Sequence, residues 1–131
     1  MKREINSNEF YRHFKGKLYK TILIANDSET NNLDEPRKLV IYKALYGDRL
    51  IWARDYDMFL SEVDHKKYPL VEQKYRFEKL SKEETIKELY AALREEYQSE
   101  SVDELVEKIY DVMGLSENFA EAKKEILMVI K

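Results

Sequence analysis

Leu18-Tyr19-Lys20-Thr21-Ile22-Leu23-Ile24-Ala25 and Lys38-Leu39-Val40-Ile41-Tyr42-Lys43-Ala44-Leu45-Tyr46 decide the fold of the first part of the chain. Both stretches are dense in β-branched and aromatic residues, which fit a pleated and half-buried surface, so both predict strands. Gly16-Lys17 and Gly47-Asp48 are turn signals, each before the strand that follows. Between the two long strands, Asn26 to Pro36 is a polar loop. Asp34-Glu35-Pro36 closes it, because proline has no N–H to give to a central ladder. A shorter strand is expected over Leu50 to Arg54, then a single helical turn over Tyr56 to Leu60. A last hairpin is expected from Val63 to Leu80, bending near Lys66-Lys67-Tyr68-Pro69. Strands this short must curl or be covered to hide their edges, so a small antiparallel β-barrel is expected over residues 10–79.

At Ser81 the periodicity changes. Ser81-Lys82-Glu83-Glu84 reads as a capping box, and Ile86, Leu89, Tyr90, Leu93 and Tyr97 then recur at helical spacing. A second box, Ser101-Val102-Asp103-Glu104, opens a helix with Val102, Leu105, Val106, Ile109 and Met113 on one stripe. Gly114 suits the left-handed residue that ends such a helix. Leu115-Ser116 is expected to start a third helix, with Phe119, Ala122, Ile126, Leu127 and Ile130 inward. That helix ends Ile126-Leu127-Met128-Val129-Ile130, apolar all round, which a surface helix should not be. The fold class is therefore α+β: a sheet domain over 10–79 and an acidic three-helix segment over 80–131. The segment is expected to pack on the barrel or on a second protomer.

Composition narrows the chemistry. Charged residues make up 37% of the chain and apolar ones 44%, enough for a core under a heavily charged surface. With no Cys there is no disulfide framework, thiolate metal site or cysteine nucleophile, and two His make a multi-histidine site an unlikely design. No cofactor and no metal are expected. No stretch approaches the roughly 20 apolar residues that span a bilayer, and the first ten residues lack the apolar core of a signal peptide. The expectation is a soluble cytoplasmic protein with no membrane contact. Residues 1–79 hold 16 basic and 13 acidic side chains, and residues 80–131 hold 7 and 13. Neither part is basic enough for a dedicated nucleic-acid binder.

Three segments carry a resemblance. Tyr11-Arg12-His13-Phe14-Lys15-Gly16 supplies an aromatic, Arg, His, an aromatic, Lys and Gly in order. Ser28-Glu29 follows the second strand; Val40, Tyr42, Leu45 and Tyr46 fit a Val-x-Tyr-x-x-Leu-Tyr stretch. Trp52 and Arg54 give a Trp-x-Arg, then come Met58-Phe59 and Arg76-Phe77. Over about Tyr11 to Phe77 the chain resembles a bacterial family known as domain of unknown function 1653. The resemblance implies a small SH3-like β-barrel and no agreed activity. The loop after Glu29 and the stretch before Arg76 look longer than in the family's short form, and the helices after Ser81 lie outside the pattern.

The candidate site residues follow. On a strand, Trp52 and Arg54 point to one side and Ile51 and Ala53 to the other. Either Trp52 with Arg54 lines a surface groove, or Trp52 is core and Arg54 is buried with a partner such as Glu29. An aromatic plate beside a guanidinium can stack a base or hold an extended peptide. Tyr11, His13, Lys15, Glu29, Tyr42, Trp52 and Arg54 are the candidate ligand-binding residues, and no residue is assigned a catalytic role. Ile126, Met128, Val129 and Ile130 are the candidate interface. His65 reads as a solvated turn residue. Met113-Gly114-Leu115-Ser116 resembles the turn of a helix-turn-helix, but Glu117, Glu121 and Glu125 do not suit a helix that reads DNA.

Three functions fit these residues. The first is a binding module that presents the aromatic and basic barrel face, to which nucleic acid or a nucleotide is a possible ligand. The second is an assembly subunit, with a protein partner or a homodimer formed through the C-terminal helices. The third is an enzyme on a nucleotide or small metabolite, which would need His13, Glu29 and Arg54 to converge.

Overall fold

The computed structural model describes residues 3–131. The chain divides into two compact units, one ending at Lys79 and one running from Leu80 to Lys131. The strands are β1 (Phe10–His13), β2 (Leu18–Asn26), β3 (Lys38–Ala44), β4 (Ile51–Asp55) and β5 (Phe77–Leu80). They form one antiparallel sheet in the order β4-β3-β2-β1-β5. A short helix, α1 (Tyr56–Phe59), follows β4 directly, capped by the Asp55 carboxylate, which accepts the Met58 N–H. The α+β class stands. The barrel does not close: among the described residues no hydrogen-bonded ladder joins β4 to β5, so both remain sheet edges.

Register decides what faces what. Tyr11 pairs with Tyr19, Tyr19 with Ala44, Thr21 with Tyr42, Tyr42 with Trp52, and Val40 with Arg54. Directly opposed residues share a face, so these side chains stand together. The register slips between Thr21 and Leu23, a bulge that bends β2 and strengthens its twist. Beside it the buried Thr21 hydroxyl donates to the Asn6 carbonyl at 2.6 Å and accepts the Glu9 N–H at 2.9 Å, which ties the chain before β1 to the sheet. The core on this face is Ile5, Tyr11, Val40, Tyr42, Phe59 and Phe77. Phe59 and Phe77 stack in parallel at 4.0 Å, and Tyr11 and Tyr42 meet Phe59 edge-on at 5.1 and 5.4 Å. The rings complement each other through their quadrupoles.

The expected hairpin from Val63 to Leu80 is built only in rudiment. One isolated bridge, Glu62 to Tyr75, joins its sides, and only Phe77–Leu80 is a strand, placed beside β1. Asp64 is the physical reason: its carboxylate accepts the Lys66 and Lys67 N–H groups and folds the chain into a turn where a strand would begin.

The second unit holds α2 (Lys82–Glu96), α3 (Val102–Met113) and α4 (Phe119–Ile130). Ser81 and Glu84 form the reciprocal box, each side chain accepting the other's N–H at 3.0 Å. Ser101 supplies only the serine half, accepting the Glu104 N–H at 3.2 Å. Gly114 ends α3 at φ 61, a conformation that costs other residues a Cβ clash. The third helix starts at Phe119 rather than at Leu115-Ser116, because Asn118 caps it and the Tyr110 hydroxyl holds the Glu117 carbonyl outside at 2.6 Å. Ile86, Leu89, Leu105, Val106, Ile109, Met113, Ala122 and Ile126 are buried.

Candidate functional site

The strand pattern left two places for Trp52 and Arg54, and the register gives a third. Both stand on the core face, opposite Tyr42 and Val40, but on an edge strand where that face opens to solvent. Trp52 is 49% exposed, while Ile51 and Ala53 on the other face are exposed too. Arg54 is half-buried; its Nε donates to the Tyr42 hydroxyl at 3.3 Å and its guanidinium lies 5.6 Å from the Phe77 ring centroid. Its partners are thus a phenol and a ring. Glu29 is not one: it sits exposed in the 3-10 turn Ser28–Thr30, and Arg54 forms no ion pair among the described residues.

His13 ends β1 on the same face as Tyr11 and Tyr19. Its ring meets Phe77 edge-on at 4.9 Å and Phe14 at 4.5 Å. Nδ1 accepts the Lys15 N–H at 3.1 Å, so the neutral ring carries its proton on Nε2 and presents it as a donor. Burial pushes the His13 pKa down to about 4, and the charges of Arg54, Lys15 and Arg76 push the same way. Arg76 arrives beside it because its carbonyl accepts the Phe14 N–H at 3.0 Å and its own N–H donates to Ser61 at 2.9 Å. The Arg76 Nε is buried with no hydrogen-bond partner.

Aromatic rings frame these groups. The Lys15 ammonium lies 5.8 Å from the ring centroids of Phe14 and of Tyr68, which contact each other at 5.0 Å. The Lys17 ammonium lies 5.1 Å from the ring of Tyr46, whose hydroxyl shares a 2.8 Å hydrogen bond with that of Tyr19. Burial, then that bond, raises the Tyr19 pKa, so its hydroxyl stays protonated. The site is therefore a set of donors held by rings. It can attract anions and flat groups, and it holds no paired nucleophile and base.

Of the expected residues, His13, Lys15 and Arg54 come together, and Trp52 stands two residues from Arg54 on the same face of β4. Tyr42 supports Arg54 from within the core. Tyr11 is 1% exposed and its hydroxyl donates to Glu9 at 3.0 Å, so it is core and not a wall of the site. Arg76, Phe14 and Tyr68 were not expected there; the one sequence signal for Arg76 was its place before Phe77, an Arg beside an aromatic as in Trp52-Ala53-Arg54. In the helical unit Ile126 is fully enclosed and cannot belong to an interface, whereas Met128 is 79% exposed and Val129 and Ile130 are half-buried.

A hollow of about 540 Å³ lies elsewhere, between Asp34, Glu35, Asp55 and Asp57 on one side and Arg37 and Lys38 on the other. Arg37 is already bound to Asp27 and lies 3.7 Å from Asp55, so the four carboxylates leave this hollow net acidic and unlike the cationic edge. No group of three or more His, Cys, Asp or Glu that could hold a metal occurs among the described residues. No helix among them is long and apolar enough to cross a membrane. A family model described as "Protein of unknown function (DUF1653)" matches residues 9–79. No curated protein and no solved structure matches the chain.

Proposed function

Because the chain belongs to the DUF1653 family, whose description names no activity, we propose from the site itself that the sheet unit is a non-catalytic binding module. The observation that carries this reading is the pair Trp52 and Arg54. They stand on the core face at its open edge, one an accessible aromatic plate and the other a guanidinium without a carboxylate. Rings beside cations suit flat, electron-rich ligands. Binding is favoured over catalysis because no carboxylate orients His13, whose Nδ1 is taken by a main-chain N–H.

Trp52 is the chain's sole tryptophan and reports on the site directly. Half-exposed, it should emit at long wavelength, and short single-stranded RNA or DNA, then nucleotides, added at low salt should quench it to saturation. Trp52→Ala should remove binding, followed by calorimetry, while the circular dichroism spectrum is kept. Emission that no ligand changes, with no heat of binding, would sink the reading. Met128 favours a second reading, contact with another copy of the chain through α4, because a large apolar side chain stands exposed beside half-buried Leu127, Val129 and Ile130.

A further inference from the structure

Arg54, Arg76, Lys15 and the Nε2–H of His13 gather around Phe77 and the β1 end, and none of them meets a carboxylate among the described residues. We propose that they form a phosphate pole, and that the ligand of this face is a nucleotide unit whose base stacks on Trp52. The proposal rests on the binding reading above and names its ligand class.

The donor count argues for phosphate over carboxylate. Four groups offer N–H donors and no acceptor, and three of them carry full positive charge. A carboxylate brings one negative charge on two oxygens; a phosphate monoester brings nearly two on three oxygens, and it can answer more of these donors at once. Arg76 belongs to the set because its Nε has no hydrogen-bond partner; that atom is itself buried, so a phosphate would meet the guanidinium through its terminal nitrogens. Most other cations of the sheet unit that meet a carboxylate meet it closely: Lys79 with Glu9 at 2.6 Å, and Arg12 with Glu78 at 3.0 Å. Lys15, Arg54 and Arg76 have no such pairing among the described residues.

The base follows from position. Trp52 and Arg54 are two residues apart on one strand and on one face, about 7 Å along it. A flat ring laid on the indole can carry its sugar and phosphate toward the guanidinium over that distance. Stacking on an indole tolerates any base, so the pole fixes the phosphate and leaves base identity open.

The test titrates Trp52 emission with AMP, UMP, adenosine, a short oligoadenylate and a short acidic peptide. AMP and UMP should quench to saturation, and adenosine should bind at least about tenfold more weakly, the scale of a charge-assisted contact. If the oligoadenylate quenches and the mononucleotides do not, the nucleotide unit is supported within a strand. For whichever phosphate ligand binds, Arg76→Gln should weaken it at least about tenfold, while Lys43→Gln, a charge loss opposite Ile51 on the other face of the sheet, should not. Circular dichroism checks that both variants fold. Phosphate in the pole should also raise the His13 titration seen by NMR. Adenosine binding as tightly as AMP, an unchanged affinity in Arg76→Gln, or quenching by the acidic peptide alone would overturn the phosphate pole and leave the binding reading standing. No quenching by any ligand would overturn both.

Discussion

The helical unit and the open edge of the sheet treat their cations differently. In the helices Lys82 lies 2.5 Å from Glu117 and 3.1 Å from Glu125, Lys108 lies 3.4 Å from Glu100, and Lys123 lies 3.4 Å from Asp103. At the open edge of the sheet, Arg54 and Lys15 rest against rings, and Arg76 keeps an unanswered Nε. A paired cation belongs to the fold, since its charge is already met. A cation on a ring keeps most of its field, because the ring's quadrupole attracts it without neutralising it. The difference separates charges that hold helices together from charges left for something else to meet.

The largest way to break the comparison is through the ring that organises the edge. Phe77 stacks on Phe59 and lies beneath Arg54 and beside His13. Phe77→Ala should cost about 3–5 kcal/mol, as for other fully buried aromatics, and should take the cation cluster with it. Urea unfolding followed by Trp52 emission reads the sheet unit, and far-UV circular dichroism reads the helices. A Trp52 midpoint that does not move would mean the stack contributes nothing.

Next comes a paired cation. The hydrogen bond to Glu117 is the main reason the Lys82 pKa is raised, ahead of its contact with Glu125. Lys82→Met should destabilise the helical unit by about 1 kcal/mol, a modest figure because the group is partly exposed. The effect should shrink in high salt. Arg54→Met should behave oppositely, losing ligand binding with little change in stability. Equal stability losses for the two would erase the contrast between the units.

His13 gives a pH test of the same edge. Its folded pKa lies near 4 and its unfolded value near 6.5, so between those values the unfolded chain takes up a proton that the folded chain refuses. Stability is therefore fully present above about pH 6.5 and falls as the pH drops toward 4. Allowing for the ring's partial exposure, the loss by pH 5 should be about 1 kcal/mol. Urea midpoints at pH 7 and pH 5 for the native chain and His13→Gln check it, and the substitution should flatten the difference. A slope of opposite sign would mean that a carboxylate outweighs burial and the three cations at the imidazole.

The strands and the helical stripes were legible because alternation and helical spacing are local properties. Ile86, Leu89, Leu105, Ile109 and Ile126 are buried where the helical stripes put them. What local pattern does not carry is depth. Tyr11 and His13 share a face two residues apart, yet one is sealed against Phe59 and the other opens at the end of the strand. Trp52 escaped the choice between groove and core for the same reason: it is on the core face, but on the last strand. Glu29 was offered to Arg54 as a charge partner, whereas the partner is the Tyr42 phenol, a diagonal neighbour on the adjacent strand. The open barrel and the irregular stretch around Asp64 also depend on where short strands end, which one carboxylate can change.

The smallest expected effect on stability is at Met128. With 79% of it exposed, Met128→Glu removes little buried surface and should change the unfolding midpoint of an isolated chain by less than about 0.5 kcal/mol. Its neighbour Ile126 is enclosed, so Ile126→Ala should cost about 2–4 kcal/mol through the cavity it leaves. Sedimentation then separates packing from association. If α4 contacts a second copy, the native chain should show a concentration-dependent mass that Met128→Glu lowers to the monomer, because an ionised carboxylate inside an apolar contact is costly. A native chain that sediments as a monomer at every concentration would remove the second reading and leave Met128 a surface residue. The functional contrast between the two units would then be sharper, with the sheet edge carrying the binding and the helices only their own stability.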